Sequence, residues 1–461
     1  MSQDIEYDII VVGAGVVGCT AAAALGRDGR KVLLIERDWS EPDRIVGELL
    51  QPGGVKALKE LGLDWTLDGI DGIIHDGYVV YQNPEDHVLL KYPTDRGVSQ
   101  GIAFHHGKFI MNLRKAARQA PNVTTLEATV TALATDETDK VVGVSVSTKT
   151  EPGAEPVLST IYAPLTLVVD GCFSKFRKDL SPNKVTISSH FVGMVLKNCN
   201  LPYKHHGHVI LCKPSPVLLY QIGTDDTRIL MDVPGKMPTG GELKTYLKDT
   251  IGPQLPKSVQ PSFYEAIESE RLRSMPNQWL PSAMNKQEGV ILLGDANNMR
   301  HPLTGGGMTV AFWDVVHLRD HLHPKIIPTF QNSNTLVRSQ MVKLHRKRKE
   351  LSSVINVLAQ ALYSLFSAND QPLMMELQKG CFGYFQLGGR CASTPVGLLA
   401  GLRPEPLTLF NHFFLVALYA SYTMTTSGPI YMVPYNIVKS ILVLWTACVV
   451  ILPVIWTEIR A

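Results

Sequence analysis

The chain has 461 residues, with 44 lysines and arginines against 42 aspartates and glutamates, and 45% hydrophobic residues. That length buries a large core and suggests two intertwined domains plus an appendage, while a formal charge of +2 is too small to argue for nucleic acid. The seven cysteines show no CxxC spacing, so neither a structural metal site nor a disulfide framework is suggested and a reducing compartment fits.

The first residues, MSQDIEYD, are polar and acidic and read as neither a signal nor a transit peptide. The organising stretch follows, from Tyr7 to Glu36. Ile9–Val12 is a strand-forming run, Gly13-Ala14-Gly15-Val16-Val17-Gly18 a glycine-rich turn, and Cys19–Leu25 a small, helix-tolerant segment; Lys31–Ile35 is a second strand ending on Glu36. This is the unit that holds a dinucleotide. Gly13 permits the turn, Gly15 lets backbone approach a pyrophosphate, and Gly18 lets the helix lie near the sheet. The positive helix end faces phosphates, and Glu36 can accept from ribose hydroxyls. FAD and NAD both remain open from this unit alone.

Asp38 to Gly54 reads as a loop running back over the cofactor. Arg44 in it can pair with a phosphate or be a solvated surface arginine. Gly54–Leu61 is expected as a helix closing at Gly62. Asp76–Tyr81 has the pattern of a hairpin entering a second sheet, in which Tyr78 either aims its phenol at a pocket or packs as a sheet-edge tyrosine. Phe104-His105-His106-Gly107-Lys108 precedes an expected helix, Phe109–Arg118, carrying Arg114 and Lys115. Val123–Val130 and Val141–Thr148 are strand-like. Ala163–Gly171 is a buried strand ending in Asp170-Gly171, and an aspartate at the carboxyl end of a parallel strand is placed to bind a ligand. From Val185 to Met284 strands alternate with Pro and Gly turns: His190–Leu196, Val217–Ile222 and Thr227–Val233. They predict a mostly antiparallel sheet suited to wall a substrate cavity. His205-His206-Gly207-His208 is expected in a surface loop.

A second anchor lies at Gly289–Ala296, a buried strand ending in Gly294-Asp295, followed by NNMRHPLTGGGM and a helix from Thr309 through Val316. Asp295 can bind a ribitol or ribose hydroxyl. The triple glycine at a helix start suits a flavin ring, whose N1–C2=O region becomes negative on reduction. A phosphate loop is disfavoured because no Lys-Ser/Thr follows the glycines. Further on, Lys343–Lys349 is basic, either a solvated helix face or a contact for anionic lipid, and Ser352–Phe366 is apolar at helical spacing. Leu407–Ser427 has no charged residue and Ile437–Trp456 only Lys439, each approaching the roughly 20 residues of a spanning helix. Asn411, His412 and Pro453 interrupt them. Two antiparallel helices dipped into one leaflet fit better than two spans; a buried soluble pair is the alternative.

In that order, GAGVVG with Glu36, VVDGCFSKFR and LLGDANNMRHPLTGGGM are similar to the three fingerprints of the FAD-dependent monooxygenases of aromatic-hydroxylase type. RIVGELLQPGG, AFHHGKFIMNLRKAA, SSHFVG, LRSMPNQWLP, INVLAQALYSLF and PVGLLAGL resemble more closely the branch of that family that epoxidises squalene, from about Tyr7 to near the C-terminus. The resemblance implies FAD contacts at Val16, Val17, Glu36, Arg37, Arg44, Leu49, Arg114, Val130, Asp295 and Met308. It places Tyr78 near flavin and substrate, with Gln51 as its hydrogen-bonding neighbour. It further implies squalene and O2 as reactants, electrons from NADPH–cytochrome P450 reductase, membrane lipid as a partner, and the cytoplasmic face of the endoplasmic reticulum membrane. Since the dinucleotide fold starts almost at the first residue, the longer N-terminal extension of animal members is not expected. Tyr78 is expected to orient, not to act as a base, because an unperturbed phenol has a pKa of about 10.

The fold expected is α/β: a Rossmann-like FAD-binding domain (1–71, 105–180 and 285–335), an intertwined, mostly antiparallel β-sheet substrate domain (72–104 and 181–284), and a C-terminal helical, membrane-associated region (336–461). Two other functions fit parts of the pattern. A flavin-dependent isoprenoid (geranylgeranyl) reductase shares the cofactor fold but saturates alkenes. A non-enzymatic prenyl-protein carrier of GDP-dissociation-inhibitor type is disfavoured by the Asp-Gly and Gly-Asp fingerprints together.

Overall fold

A computed structural model describes residues 6–94, 97, 99–148, 155–238, 241–284, 286–368, 371–426 and 429–460. Met1–Ile5 of the acidic start and Ser427, at the end of the first apolar stretch, lie outside the described residues.

Five parallel strands form the first sheet, in the order Val290–Leu292, Leu165–Val168, Ile9–Val12, Val32–Glu36, Val123–Glu127. The central strands are apolar at nearly every position because both faces are covered. Ile9, Val11 and Leu34 face helices Val16–Arg27, His106–Gln119 and Gly307–Leu322. Ile10, Val12, Leu33 and Ile35 face a three-stranded antiparallel sheet built from Thr129–Thr135, Val141–Thr148 and Val157–Tyr162. The period of two along each strand divides the residues between the two cores. The first helix packs close because Ala21–Ala24 are small and buried. A Cβ on Gly18 would lie 1.8 Å from the carbonyl oxygen of Gly13, so only glycine lets the helix start this near the turn.

The second sheet has seven strands, in the order Arg273–Trp279, Thr186–Lys197, Asp226–Pro234, Val217–Gln221, His206–Ile210, Gly77–Tyr81, His87–Lys91. All pairs are antiparallel except Gly77–Tyr81 against His206–Ile210, which is parallel. The hairpin Gly77–Lys91 therefore joins strands that come more than a hundred residues later. One face, with Tyr78, Val80, Val209, Leu218 and Leu230, turns toward the first domain and the C-terminal helices. The other, with Val79, Tyr81, Ile210, Ile229 and Met231, is closed by the helix Gln260–Ser269 through Phe263 and Ile267. The expectation of a surface loop at His205–His208 is corrected here. His206 opens a strand, and His208 is buried with its ring stacked on Tyr81. Neighbouring strands supply the apolar surface that the histidines lack. Leu49–Leu50, Gly101–Ala103 and Ile73–His75 form a small antiparallel sheet.

From Asn334 onward the described residues are mostly helical. Asn334–Phe366 is one helix containing both the basic run and the apolar stretch after it. The basic run divides: Lys343, Arg346 and Lys347 are exposed, and the last two cations turn inward. Arg348 turns inward onto Asp314, and Lys349 donates to Glu458 Oε2 at 2.9 Å. Helices Pro406–Thr426 and Val433–Arg460 pack antiparallel, with Thr425 against Ser440 near the turn and Phe413 beside Ile451 farther down. Only 22% and 17% of their most apolar stretches are buried, which argues against a pair enclosed in a soluble core. Leu418, Tyr422, Tyr431, Trp445 and Trp456 point outward, an apolar face of the kind a bilayer covers.

Candidate cofactor site and apolar chamber

A cavity of about 700 Å³ runs from the carboxyl ends of the parallel strands to the inner face of the second sheet, within the range of small-molecule sites. Of the residues singled out in the sequence, Gly13, Gly15, Val16, Val17, Glu36, Arg37, Arg44, Leu49, Tyr78, Arg114, Val130, Asp170, Asp295 and Met308 line it. Gly18 and Gln51 stand behind the wall and support it.

The glycine-rich turn is held by its own acid. Glu36 accepts from the Ala14 N–H at 2.8 Å through Oε2, and from the N–H groups of Arg37 and Asp38 through Oε1 at 2.9 and 3.2 Å. Gly13 has φ of +105°, a conformation that glycine adopts without strain. A Cβ on Gly15 would meet nothing within 4 Å. The space glycine leaves there opens into the cavity, as a close-lying pyrophosphate needs. Arg114 is buried and spends its guanidinium on the carbonyls of Ala14 (3.2 Å), Ser40 (2.6 Å) and Asp38 (3.0 Å). It thereby pins the loop after Glu36 against the turn.

The two aspartate corners face each other. Asp170 Oδ2 accepts from the Lys175 N–H at 2.9 Å, while its Oδ1 is buried with no hydrogen-bond partner. Asp295 opens onto the cavity but is enclosed by protein elsewhere. Desolvation raises its carboxyl pKa, and Arg300, Arg44 and Arg177 oppose the shift. Arg177, given no role from sequence, braces both corners. It donates to the carbonyls of Gly171 and Cys172 at 3.0 and 2.8 Å, and to those of Asp295 and Ala296 at 3.0 and 2.9 Å. Glu48 also lines the cavity unforeseen, paired with the buried Arg228. An orphaned carboxylate oxygen, a second carboxylate aimed into the void and a glycine cradle fit the hydroxyls and phosphates of FAD.

At the far end Tyr78 is 6% exposed and fully buried Gln51 lies behind it. Gln51 Nε2 donates to the Tyr78 hydroxyl and to the carbonyl of Thr304 (2.9 Å), and its Oε1 accepts from the Tyr92 hydroxyl at 2.7 Å. Thr304 belongs to the glycine corner, so one amide ties that corner to the sheet. Burial pushes the Tyr78 phenol up to about 12. Beside Tyr78 and Leu303 a void of about 60 Å³ continues between Leu358, Leu362 and Phe385. A second void of about 70 Å³ shares those three residues and reaches Phe413 and Val450 on the C-terminal helix pair. Both are almost wholly apolar.

A dinucleotide turn, two facing aspartate corners and a wide sheet over the cavity define a flavoprotein of the FAD-dependent monooxygenase fold. The p-nitrophenol 4-monooxygenase structure from Pseudomonas putida superposes with a TM-score of 0.69 over 87% of this chain and 98% of that one, at 18% identity. A family profile for FAD-dependent oxidoreductases matches residues 8–42, and one described as squalene epoxidase matches residues 162–438. The squalene epoxidase of Schizosaccharomyces pombe is 46% identical over 99% of both chains. The squalene monooxygenase of Mus musculus is 47% identical over 99% of this chain and 78% of its own length. The chain belongs to the squalene epoxidase family, and its cofactor is FAD.

Proposed function

We propose that the protein epoxidises squalene to (S)-2,3-epoxysqualene in sterol biosynthesis, using FAD, O2 and electrons passed from NADPH by a cytochrome P450 reductase. The observation that carries this reading is the run of apolar voids from Tyr78 to the exposed helix pair. A hydrocarbon held in a membrane can follow that line to the cofactor without crossing water. Side chains such as Leu362 and Phe385, which separate the voids, must move to admit a whole chain.

FAD, held by the glycine turn, Glu36, Asp170 and Asp295, supplies the activation of O2 for transfer of one oxygen atom to an alkene. The remaining work belongs to side chains of this protein. Leu303, Leu358, Leu362 and Phe385 hold the alkene in a dry site, which suppresses loss of activated oxygen to water. Tyr78, fixed by Gln51, accepts one hydrogen bond and can donate its own proton to an oxygen in the cavity. With its pKa pushed up to about 12 it stays protonated and works as an orienting donor. The apolar outer face of Pro406–Thr426 and Val433–Arg460 lies in the cytoplasmic leaflet of the endoplasmic reticulum membrane.

Incubation of the purified protein with squalene, O2, NADPH and reductase tests this reading. A product heavier by one oxygen atom is expected; a gain of two hydrogens identifies an isoprenoid reductase instead. A colourless protein that does not take up FAD rules out both. Rapid flavin reduction by NADPH alone refutes the need for the reductase.

A further inference from the structure

The loop between Asp295 and the glycine corner carries a buried cation that the chain leaves short of partners. Arg300 is 8% exposed and contributes to the cavity wall beside Asp295, Met299 and Pro302. Its Nη2 donates to the carbonyl of Asn298 at 3.1 Å, but Nε and Nη1 are buried with no hydrogen-bond partner. Turning the Asn298 amide over lets its oxygen accept from Nη2 at 2.9 Å, which leaves Nε and Nη1 unchanged. Among the described residues no carboxylate forms an ion pair with Arg300. Of the nearby acids, Asp314 holds Arg348 and Glu458 holds Lys349 and Asn356, while Asp295, whose charge acts on Arg300 most strongly, makes no direct contact with it and opens onto the cavity.

A buried, incompletely bonded guanidinium is costly, since each unmet polar group gives up its hydration without a replacement bond and an unpaired charge gives up more. The cavity it borders is where a dinucleotide carrying a pyrophosphate sits. Reduction adds negative charge to the ring of that dinucleotide, and the positive N-terminus of the helix Gly307–Leu322 borders the same void. The loop is also held from behind, because Asn356 Nδ2 donates to Asn298 Oδ1 at 3.0 Å and to Glu458 Oε1 at 2.8 Å. We propose that Arg300 is a fixed positive charge of the cofactor site, that bound FAD is its counter-ion, and that it favours the reduced flavin over the oxidised one. The proposal rests on FAD binding in this cavity, and uptake of FAD by the unmodified protein tests that separately.

The experiment compares Arg300→Met, Arg300→Gln and Arg300→Lys by three measurements: FAD affinity from flavin fluorescence, the flavin midpoint potential, and apoprotein melting with and without FAD. The neutral variants should lose at least tenfold in preference for reduced over oxidised FAD, a fall of about 30 mV for two electrons. Their apoproteins should melt no lower than the unmodified one, while the rise on adding FAD shrinks. Arg300→Lys should keep the potential. A neutral variant with unchanged potential and an unchanged FAD-induced rise overturns the proposal, as does an apoprotein that melts lower while FAD still raises it fully. If neither neutral variant folds, Arg300→Lys decides alone, since a shifted potential with the charge retained is incompatible with the proposal.

Discussion

Arg228 donates from Nε and Nη2 to the two carboxylate oxygens of Glu48, at 2.7 and 2.9 Å, with the residues 5% and 1% exposed. Arg228 lies in the second sheet and Glu48 in the loop that walls the cofactor cavity, so this fork fastens the sheet to that loop. Removing one partner strands a buried charge. Glu48→Gln or Arg228→Met should lower the unfolding free energy by about 3–5 kcal/mol. The double substitution Glu48→Leu with Arg228→Met should recover most of that loss. Denaturant titration measures it, and a double variant no more stable than either single one would show that the pair does more than neutralise itself.

Gly15 on the cavity wall and Gly18 behind it should fail differently. A Cβ at Gly18 meets the Gly13 carbonyl, so Gly18→Ala should forfeit folded protein or lose several kcal/mol. A Cβ at Gly15 meets only open space, so Gly15→Ala should fold normally yet bind FAD at least tenfold more weakly. Parallel melting and flavin-binding curves separate the two, and unweakened FAD binding by Gly15→Ala would exclude close approach there.

Tyr78→Phe removes the hydroxyl held by Gln51. One hydrogen bond of about 1.4 kcal/mol corresponds to about a tenfold fall in epoxide formed per electron consumed. Oxygen uptake and product are measured together. Unchanged rate and coupling would remove Tyr78 from the mechanism.

Histidines shielded from water, His75 and His208 among them, set an acid limit on stability. Burial lowers His75 to about 4 and His208 to about 3 from an ordinary value of 6.5. The folded state therefore binds fewer protons than the unfolded chain, and stability is full above pH 6.5. It is lost as pH falls from 6.5 toward 4, by about 1.4 kcal/mol per pH unit for each histidine. His75→Asn should flatten the dependence between pH 6.5 and 5 in denaturant titrations.

Much of this was legible in the sequence because it is local. The continuous apolar runs at Ile9–Val12 and Val32–Glu36 mark doubly covered strands, and turn chemistry marks the hairpin at Gly77. The partnership of Tyr78 with Gln51 was accessible through family resemblance, since the two residues sit on different elements and only the fold brings them together. Arg177 escaped notice for the same reason. Its brace joins residues 118 apart, and a lone arginine after an Asp-Gly turn gives no local sign of it. The strand His206–Ile210 is not legible in the sequence because its own residues lack an apolar alternation; strands on either side complete the sheet around it. The basic run is legible only in part, because charge along a helix does not say that Arg348 and Lys349 find Asp314 and Glu458 while Lys343, Arg346 and Lys347 stay exposed.

The pairing of Leu165–Val168 with Val290–Leu292, and of Thr186–Lys197 with Arg273–Trp279, has a consequence for the chain as it leaves the ribosome. Neither sheet can be finished from the half of the polypeptide made first. Early strands wait with open edges until partners far downstream emerge, so nascent chains depend on chaperoning through that interval. Fragments that end before Arg273–Trp279 and Val290–Leu292 should aggregate, and the two sheets are expected to mature only as a single cooperative unit.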